Sequence, residues 1–336
     1  MFEFDVVSGT HIKSILEQDP ARCIRSVARA YLAHHDGQTI NPDSYFLRFP
    51  QNERNRIIAL PASIDGDSNV SGIKWIASFP GNVEQGLPRA SAVLVLNDQA
   101  TGYPFALLEG SLISSARTAA SAVLGALWLN GQQRHVASIS FIGAGVIARN
   151  ILAMFSADGW SFERIAIHDT DDASAAAFAA YAGGRGGEAK VGVETSLARA
   201  LEAHIVVFAT NAGSPYVKPP ARFAPGQVVL NISLRDIGPE LILDAVNIFD
   251  DVDHCMKANT SPHLAEQLSG NRDFATGTIA QLLREEIQLD RAKPLIYSPF
   301  GMGMLDLALG KEIYDLAKAA GLTTPVPNFF GERSRW

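Results

Sequence analysis

A glycine-containing turn between a strand pattern and a helical pattern constrains this chain more than any other feature. VASISFIG predicts a buried strand, VIARNILAMFSA predicts a helix, and the turn supplies the series Gly143, Gly145 and Ala148. The first glycine permits the tight turn, the second lets backbone N–H groups approach a pyrophosphate, and the small third residue allows close helix packing. The turn therefore predicts a dinucleotide-binding unit, although a glycine turn that only packs a helix on a strand has the same series.

Short apolar runs alternate with helical patterns after this turn. RIAIHD, HIVVFAT, QVVLNIS and VNIFDDV are each of the kind that is buried in a parallel sheet. Strands that alternate with helices are typical of a doubly wound sheet with helices on both faces. We therefore predict an α/β fold with a Rossmann-type parallel sheet over residues 119–299.

The residues before the turn follow a different rhythm. Turn sequences such as DGDSN and DQATG separate the short β runs SYFLRF, NRIIALP, SGIKWIAS, SAVLVLND and YPFALLEG, which predicts an antiparallel meander. SLISSARTAASAVLGALWL predicts a long, mostly buried helix, and the amphipathic tail LDLALGKEIYDLAKAAG is expected to pack back on the domain that precedes the glycine turn. The Rossmann-type domain is thus predicted to be inserted into an α+β domain made of residues 1–118 and 300–336.

Composition narrows the classes of partner. The net charge is −7 and the basic residues are scattered, so neither nucleic acid nor an anionic membrane is expected to bind. The start MFEFDVVSGT lacks a signal-peptide pattern, and the longest apolar run, near ASAVLGALWL, is too short to span a bilayer. Cys23 and Cys255 have neither metal-site nor redox spacing, so we expect a cytoplasmic protein without a disulfide or a metal.

An acidic residue after the second strand of the predicted sheet indicates the cofactor. Asp169 lies 26 residues after Gly143, where a carboxylate binds the ribose hydroxyls and repels a 2′-phosphate, so NAD is favoured over NADP. Thr210, in the loop ATNAGSP, is either a further cofactor contact or a hydroxyl bonded within its own loop. The expected cofactor contacts in the turn itself are Gly143, Ala144, Gly145, Val146 and Ile147.

Three charged residues stand in or beside apolar segments. Lys74 lies in SGIKWIAS, Arg117 in LISSARTAA and Asp236 just after VVLNIS. The alternative for each of them is a snorkelling or paired charge at the surface, without a functional role. Together they also suit a site that handles an amino acid, because arginine binds a carboxylate by a fork and aspartate and lysine transfer protons.

Two arginines on neighbouring β runs are a further candidate pair. Arg48 lies in SYFLRF and Arg56 in NRIIALP. If both side chains point inward, they form an anion-binding face, and the alternative is an outer face of the sheet.

These motifs, taken in order, resemble the ornithine cyclodeaminase/mu-crystallin family over nearly the whole chain. The resemblance is carried by SGIKWIASFP, SAVLVLNDQATGYPFALLEGSLISSARTAA, FIGAGVIARN and LNISLRD. It implies a homodimer built by the N-terminal domain, NAD held in the inserted domain and a small amino-acid substrate bound by the first domain.

The resemblance also implies roles for individual residues. Arg48 and Arg117 match carboxylate-binding arginines of the family. Lys74 matches its active-site lysine, and Asp236 matches its catalytic aspartate. The expected cofactor contacts outside the glycine turn are Asp169, Ser91, Thr118, Thr210, Ser233 and Met302.

The segment around Asp236 bears on the substrate. This chain has SLRDIGPEL where cyclodeaminases carry a GGD-type approach, so it resembles a dehydrogenase branch of the family. That branch oxidises a secondary amine that joins glutamate to 2,3-diaminopropionate, a building block of siderophores and related peptides. The alternatives are an ornithine or lysine cyclodeaminase with catalytic NAD, a crystallin-like binding protein without turnover, and an imine reductase or alanine-dehydrogenase-like enzyme.

Overall fold

The strands and helices are those of a computed structural model that describes residues 3–332. The strands are β1 Asp5–Val7, β2 Thr39–Ile40, β3 Tyr45–Arg48, β4 Arg56–Ile64, β5 Val70–Ser78, β6 Ala90–Asn97, β7 Pro104–Glu109, β8 His135–Ile142, β9 Ser161–His168, β10 Lys190–Val193, β11 Ile205–Phe208, β12 Val228–Asn231, β13 Val246–Phe249, β14 Ala275–Thr278, β15 Leu295–Ser298 and β16 Thr324–Pro325. The helices are α1 Gly9–Gln18, α2 Ala21–His35, α3 Gly110–Leu129, α4 Val146–Ala157, α5 Asp172–Gly183, α6 Leu197–Ala200, α7 Pro239–Leu243, α8 Val252–Cys255, α9 Ser261–Ser269, α10 Ile279–Leu283 and α11 Gly303–Ala319, with a 3-10 helix at Pro80–Gln85.

The chain divides into two compact units. The residues up to Arg117, together with those from Met302 onward, form the first unit. Thr118–Gly301 forms the second, so helix α3 begins in one unit and ends in the other. The substrate, dimer and cofactor roles expected of the two domains stay predictions.

The second unit contains a parallel sheet in the order β10-β9-β8-β11-β12-β15-β13-β14. The predicted Rossmann-type sheet is therefore confirmed. The strand order runs outward from β8 in both directions, through β9 on one side and β11 on the other. In such sheets the crevice for a ligand opens at the carboxyl ends of the strands where the order reverses. The loops after β8 and β11 lie at that point, and they carry the glycine turn and Thr210.

The first unit contains a mixed sheet in the order β16-β1-β7-β6-β5-β4-β2, with β3 paired to β4. Strands β4 to β7 form the predicted antiparallel meander. Strand β1 extends it by a parallel pairing with β7, and β16 pairs antiparallel to β1. Alternate residues of the meander therefore point to two faces, one toward the core of the unit and one away from it.

Helix α11 covers the core face of the meander, as the amphipathic tail predicted. The helix contacts strands β4 to β7 and helices α1 and α2. Glycines permit this close approach, because a Cβ atom on Gly303 would lie 3.0 Å from the carbonyl oxygen of Leu60 and one on Gly310 would collide with Leu94. A side chain at Gly303 would press on the backbone of β4, and one at Gly310 would displace the side chain of Leu94.

Helix α3 corrects one expectation. By length and composition alone, this helix could cross a membrane. The sequence expectation rested on the uninterrupted apolar run ASAVLGALWL, which leaves out the small polar residues in the first turns of the helix. Within the described residues, 72% of its apolar window is buried. This degree of burial is typical of a core helix in a globular fold.

Candidate active site

A buried cluster of charges surrounds Lys74 in the first unit. Lys74 lies on the core face of β5, and its side chain is only 2% exposed. Its Nζ atom lies 2.6 Å from Oδ2 of Asp306 and donates a hydrogen bond of 3.0 Å to the hydroxyl of Ser114. The other carboxylate oxygen of Asp306 accepts a hydrogen bond of 3.2 Å from Nε of Arg117. Lys74 is therefore a buried and paired charge and not a snorkelling surface residue.

Burial changes the acidity of Lys74. The pKa of its ammonium group is lowered to about 8, mainly because burial removes water from the charge, while Asp306 opposes the fall and Arg117 adds to it. Loss of water penalises the charged form of lysine, whereas a neighbouring carboxylate favours it. A lysine with such a pKa can release and take up a proton close to neutral pH.

Arg48 and Arg56 lie on the same face of the sheet as Lys74. Arg48 pairs directly with Arg56 across β3 and β4, and Lys74 pairs with Leu60, four residues along β4 from Arg56. Directly opposed residues share a face, as do residues an even number apart in a strand. Guanidinium groups on one face of a sheet suit the binding of carboxylates. Arg48 is exposed and its guanidinium lies 5.0 Å from the centroid of the Phe46 ring, whereas Arg56 is half-buried.

The glycine turn of the second unit has the geometry that its sequence predicts. Gly143 adopts φ +99°, and a Cβ atom there would lie 2.6 Å from the carbonyl oxygen of Ala209. No described atom lies within 4 Å of a Cβ position on Gly145, the N-cap of α4, so its backbone is open to a ligand. Ala148 is completely buried where α4 packs on the sheet, whereas Val146 is exposed.

Asp169 is held at the same turn. One oxygen of its carboxylate accepts a hydrogen bond of 2.6 Å from the backbone N–H of Ala144, and the other accepts one of 2.9 Å from the N–H of Asp171. The carboxylate of Asp169 is therefore bonded directly to the glycine turn, at the carboxyl ends of β8 and β9. An open glycine backbone beside a fixed carboxylate fits the pyrophosphate and ribose of a dinucleotide.

Asp236 lies in a cage of hydroxyl groups in the second unit. Its side chain is fully buried, Thr210 donates a hydrogen bond of 2.5 Å to Oδ1, and the hydroxyl of Ser233 donates to Oδ2. The backbone N–H of Tyr216 donates to the Asp236 carbonyl at 3.0 Å. Burial, followed by the nearby charge of Asp236, raises the pKa of the Tyr216 phenol. Leu234 adopts φ +67°, a left-handed conformation that costs a leucine roughly 1–2 kcal/mol, so the turn carrying Ser233 and Asp236 is strained.

The predicted cofactor contacts are placed in different surroundings. Thr210 and Ser233 bond the carboxylate of Asp236, which gives both hydroxyls a partner within the protein. Ser91 is exposed and pairs with Ala77, so it lies on the face of the meander opposite Lys74. The remaining two are Thr118, half-buried in α3, and Met302, buried at the N-cap of α11.

Asp306 and Tyr216 are candidate site residues that the sequence interpretation missed. The signal for Asp306 is an acidic residue within the apolar stretch GMGMLDLALG, at a position that a helix must bury. The signal for Tyr216 is a phenol in the same loop as Thr210. Among residues 3–332, no group of three or more His, Cys, Asp or Glu side chains is arranged to hold a metal ion.

Comparison with known proteins shows the family. Residues 10–321 match the model of the ornithine cyclodeaminase/mu-crystallin family. The chain belongs to this family.

Individual relatives differ in the reactions for which they are named. The chain is 28% identical to the N-((2S)-2-amino-2-carboxyethyl)-L-glutamate dehydrogenase of Staphylococcus aureus over 90% of this chain and 91% of the relative. The structure of Thermococcus litoralis Δ1-pyrroline-2-carboxylate reductase in complex with NADH and L-proline superposes with a TM-score of 0.86 at 22% identity, over 96% of this chain and all of that one. A dimeric archaeal alanine dehydrogenase with bound NAD gives a TM-score of 0.85 at 22% identity, over 98% of this chain and all of that one. These two structures establish the fold.

Proposed function

We propose that this protein is an NAD-dependent enzyme that oxidatively hydrolyses N-(2-amino-2-carboxyethyl)-L-glutamate. The products are 2-oxoglutarate, 2,3-diaminopropionate and NADH. The observation that carries this proposal is the pairing of Arg48 with Arg56 on the face of the sheet that also holds Lys74. The relative from Staphylococcus aureus, whose name describes this substrate, supports it.

The number and spacing of the cations suit a substrate with several carboxylates. The conjugate has three carboxylates, and Arg48, Arg56 and Arg117 supply three guanidinium groups. Arg56 and Leu60, the residue opposite Lys74, are four positions apart in β4, about 13 Å at 3.3 Å per residue. An elongated substrate with carboxylates at both ends could span the distance between Arg56 and Lys74. Ornithine and alanine carry one carboxylate each and would engage fewer of these guanidinium groups.

The chain's own residues fit NAD. The turn from Gly143 to Ile147 would hold the pyrophosphate, and Asp169 would accept hydrogen bonds from the ribose hydroxyls. NAD supplies the acceptor for the hydride that leaves the α-carbon of the glutamate moiety. Two relatives of similar fold have been solved with NADH or NAD, which supports the choice of cofactor.

Two proton-transfer groups would complete the reaction. Loss of hydride and of the amine proton leaves an imine, and water adds to its carbon with Asp236 as the base. The resulting carbinolamine collapses to the ketone of 2-oxoglutarate, and Lys74 assists transfer of a proton to the departing amine. The pKa of about 8 at Lys74 suits this role near neutral pH. Because Asp236 is fully buried, the hydroxyls of Thr210 and Ser233 are the groups through which it exchanges protons.

We also propose that the protein is a homodimer formed through the outer face of the meander. Tyr45, Ala59, Trp75 and Val93 form one cross-strand row on this face, and Leu47 lies beside it. Tyr45, Leu47, Trp75 and Val93 are all exposed, with Trp75 at 42%. A contiguous apolar patch on a sheet is typical of a protein interface. The dimeric alanine dehydrogenase of the same fold supports a second copy as the occupant.

A product assay tests the proposed reaction. Purified protein with NAD and the glutamate–diaminopropionate conjugate should form one NADH, one 2-oxoglutarate and one 2,3-diaminopropionate per turnover. Ornithine, lysine and alanine are the comparison substrates under the same conditions. Conversion of ornithine to proline without net NADH would instead identify a cyclodeaminase. NAD binding without turnover of the conjugate would contradict the proposed reaction.

A further inference from the structure

Asp306 joins two cations of the site without reaching the surface itself. Its carboxylate is completely buried, with one oxygen on the ammonium of Lys74 and the other on Nε of Arg117. A buried carboxylate is unfavourable unless it is paired, and this one is paired on both oxygens. Because both of its oxygens are occupied by these two cations, Asp306 acts through Lys74 and Arg117 and not on the substrate itself.

The position of Asp306 is set by the packing of α11. Gly303 and Gly310 precede and follow it on the helix, and both allow the backbone of α11 to approach the meander closely. Leu305 and Leu307, its immediate neighbours, are also fully buried. The carboxylate therefore has little freedom to move away from Lys74.

We propose that Asp306 is a positioning residue that fixes the ammonium group of Lys74 and the guanidinium group of Arg117 for the substrate. The proposal rests on the proposed function for the roles of Lys74 and Arg117. Nε of Arg117 is used by Asp306, whereas no described residue is bonded to its Nη groups. These two amino groups can form a fork with a substrate carboxylate.

Asp306 also controls the charge of Lys74. The groups that face this ammonium are Asp306 from α11 and Arg117 and the Ser114 hydroxyl from α3. Asp306 is the group among them that favours the protonated lysine, and it acts against both burial and Arg117. Without its negative charge, the pKa of Lys74 falls below 8 and a larger fraction of the lysine is neutral at pH 7.

A direct titration of Lys74 tests this role. The full-length protein is labelled with 13C at the lysine ε-carbons, and the Lys74 signal is identified by its absence from K74M. In D306N the pKa of Lys74 should fall by about one unit or more, a tenfold change in proton affinity. The control is D315N, which removes an exposed carboxylate of the same helix that pairs with Lys311, and it should leave Lys74 unchanged. A wild-type titration of Lys74 in D306N would overturn the proposal.

A second variant covers the case in which D306N does not fold. R117Q removes the cation that competes for Asp306, so the pKa of Lys74 should rise, which is opposite in sign to the D306N effect. An unchanged pKa in R117Q contradicts the coupling of the three side chains. Both titrations are made without substrate, so they keep their meaning if the conjugate is not turned over. Conversely, if the wild type turns over the conjugate and the pKa of Lys74 is the same in D306N, the proposed function is supported and the role of Asp306 is rejected.

Discussion

At the level of single residues, the two side chains proposed to transfer protons are ionisable groups that the fold removes from water. Lys74 and Asp236 are both buried, and each is compensated differently. Lys74 has a carboxylate partner, whereas Asp236 has hydroxyl donors that satisfy it without neutralising its charge.

Replacement of Asp236 by asparagine should separate binding from catalysis. The amide has nearly the same shape, and the hydroxyls of Thr210 and Ser233 can rotate to donate to its oxygen and accept from its nitrogen. We expect kcat to fall by about 10²–10⁴-fold, the typical contribution of a general base, while the Kd for NAD stays unchanged. Steady-state kinetics and an NAD titration measure the two effects. Near-normal turnover in D236N would remove Asp236 from its catalytic role.

At the level of helices and strands, the sequence predicted an element correctly wherever that element has its own hydrophobic periodicity or turn residues. The βα unit of β8, the glycine turn and α4 was predicted because each part has a short-range signal. Helix α1 and strand β1 lie outside the predicted elements, although the side chain of Ser8 caps α1. Strand β1 has three residues and exists through its pairing with β7, about a hundred positions away. The residues around β1 in the sequence therefore give no indication of this strand.

The contact between β5 and α11 gives a stability prediction. A Cβ atom on Gly72 would overlap the backbone carbonyl of Val95 on β6 and lie 2.9 Å from Leu307 of α11. G72A should therefore lower the free energy of unfolding by about 1–3 kcal/mol through overpacking. Gly192 in β10 is the matched control, since no described atom lies within 4 Å of its Cβ position. Urea unfolding should show a clear loss for G72A and none for G192A, and equal midpoints would contradict this account of the packing.

At the level of the whole molecule, the outer face of the meander is the surface proposed to form the dimer. Its residues alternate in sequence with those that pack under α11, so the same strands present one buried face and one apolar exposed face. Exposed apolar residues in a contiguous row need a cover that the described part of this chain does not provide.

A charge placed on this face should dissociate the proposed dimer. Trp75→Glu puts a carboxylate at the centre of the row, where a second copy would have to bury it without a partner. Sedimentation velocity should show a dimer for the wild type and a monomer for W75E. Leu268→Glu is the control, because Leu268 is an exposed apolar residue of α9 in the other unit. A dimeric W75E would show that another surface is used.

Local sequence patterns predicted the antiparallel meander, the parallel sheet and the glycine turn with Asp169. These follow from which residues a strand or a helix must bury and from the few residues that a tight turn accepts, and both are local properties. Only the tertiary structure placed Asp306 on Lys74, because 232 positions separate the two residues. The register that sets Arg48 opposite Arg56 was also open in the sequence, since a slip of one residue sends every side chain to the other face. Burial on the sheet and the packing of α11 removed that freedom.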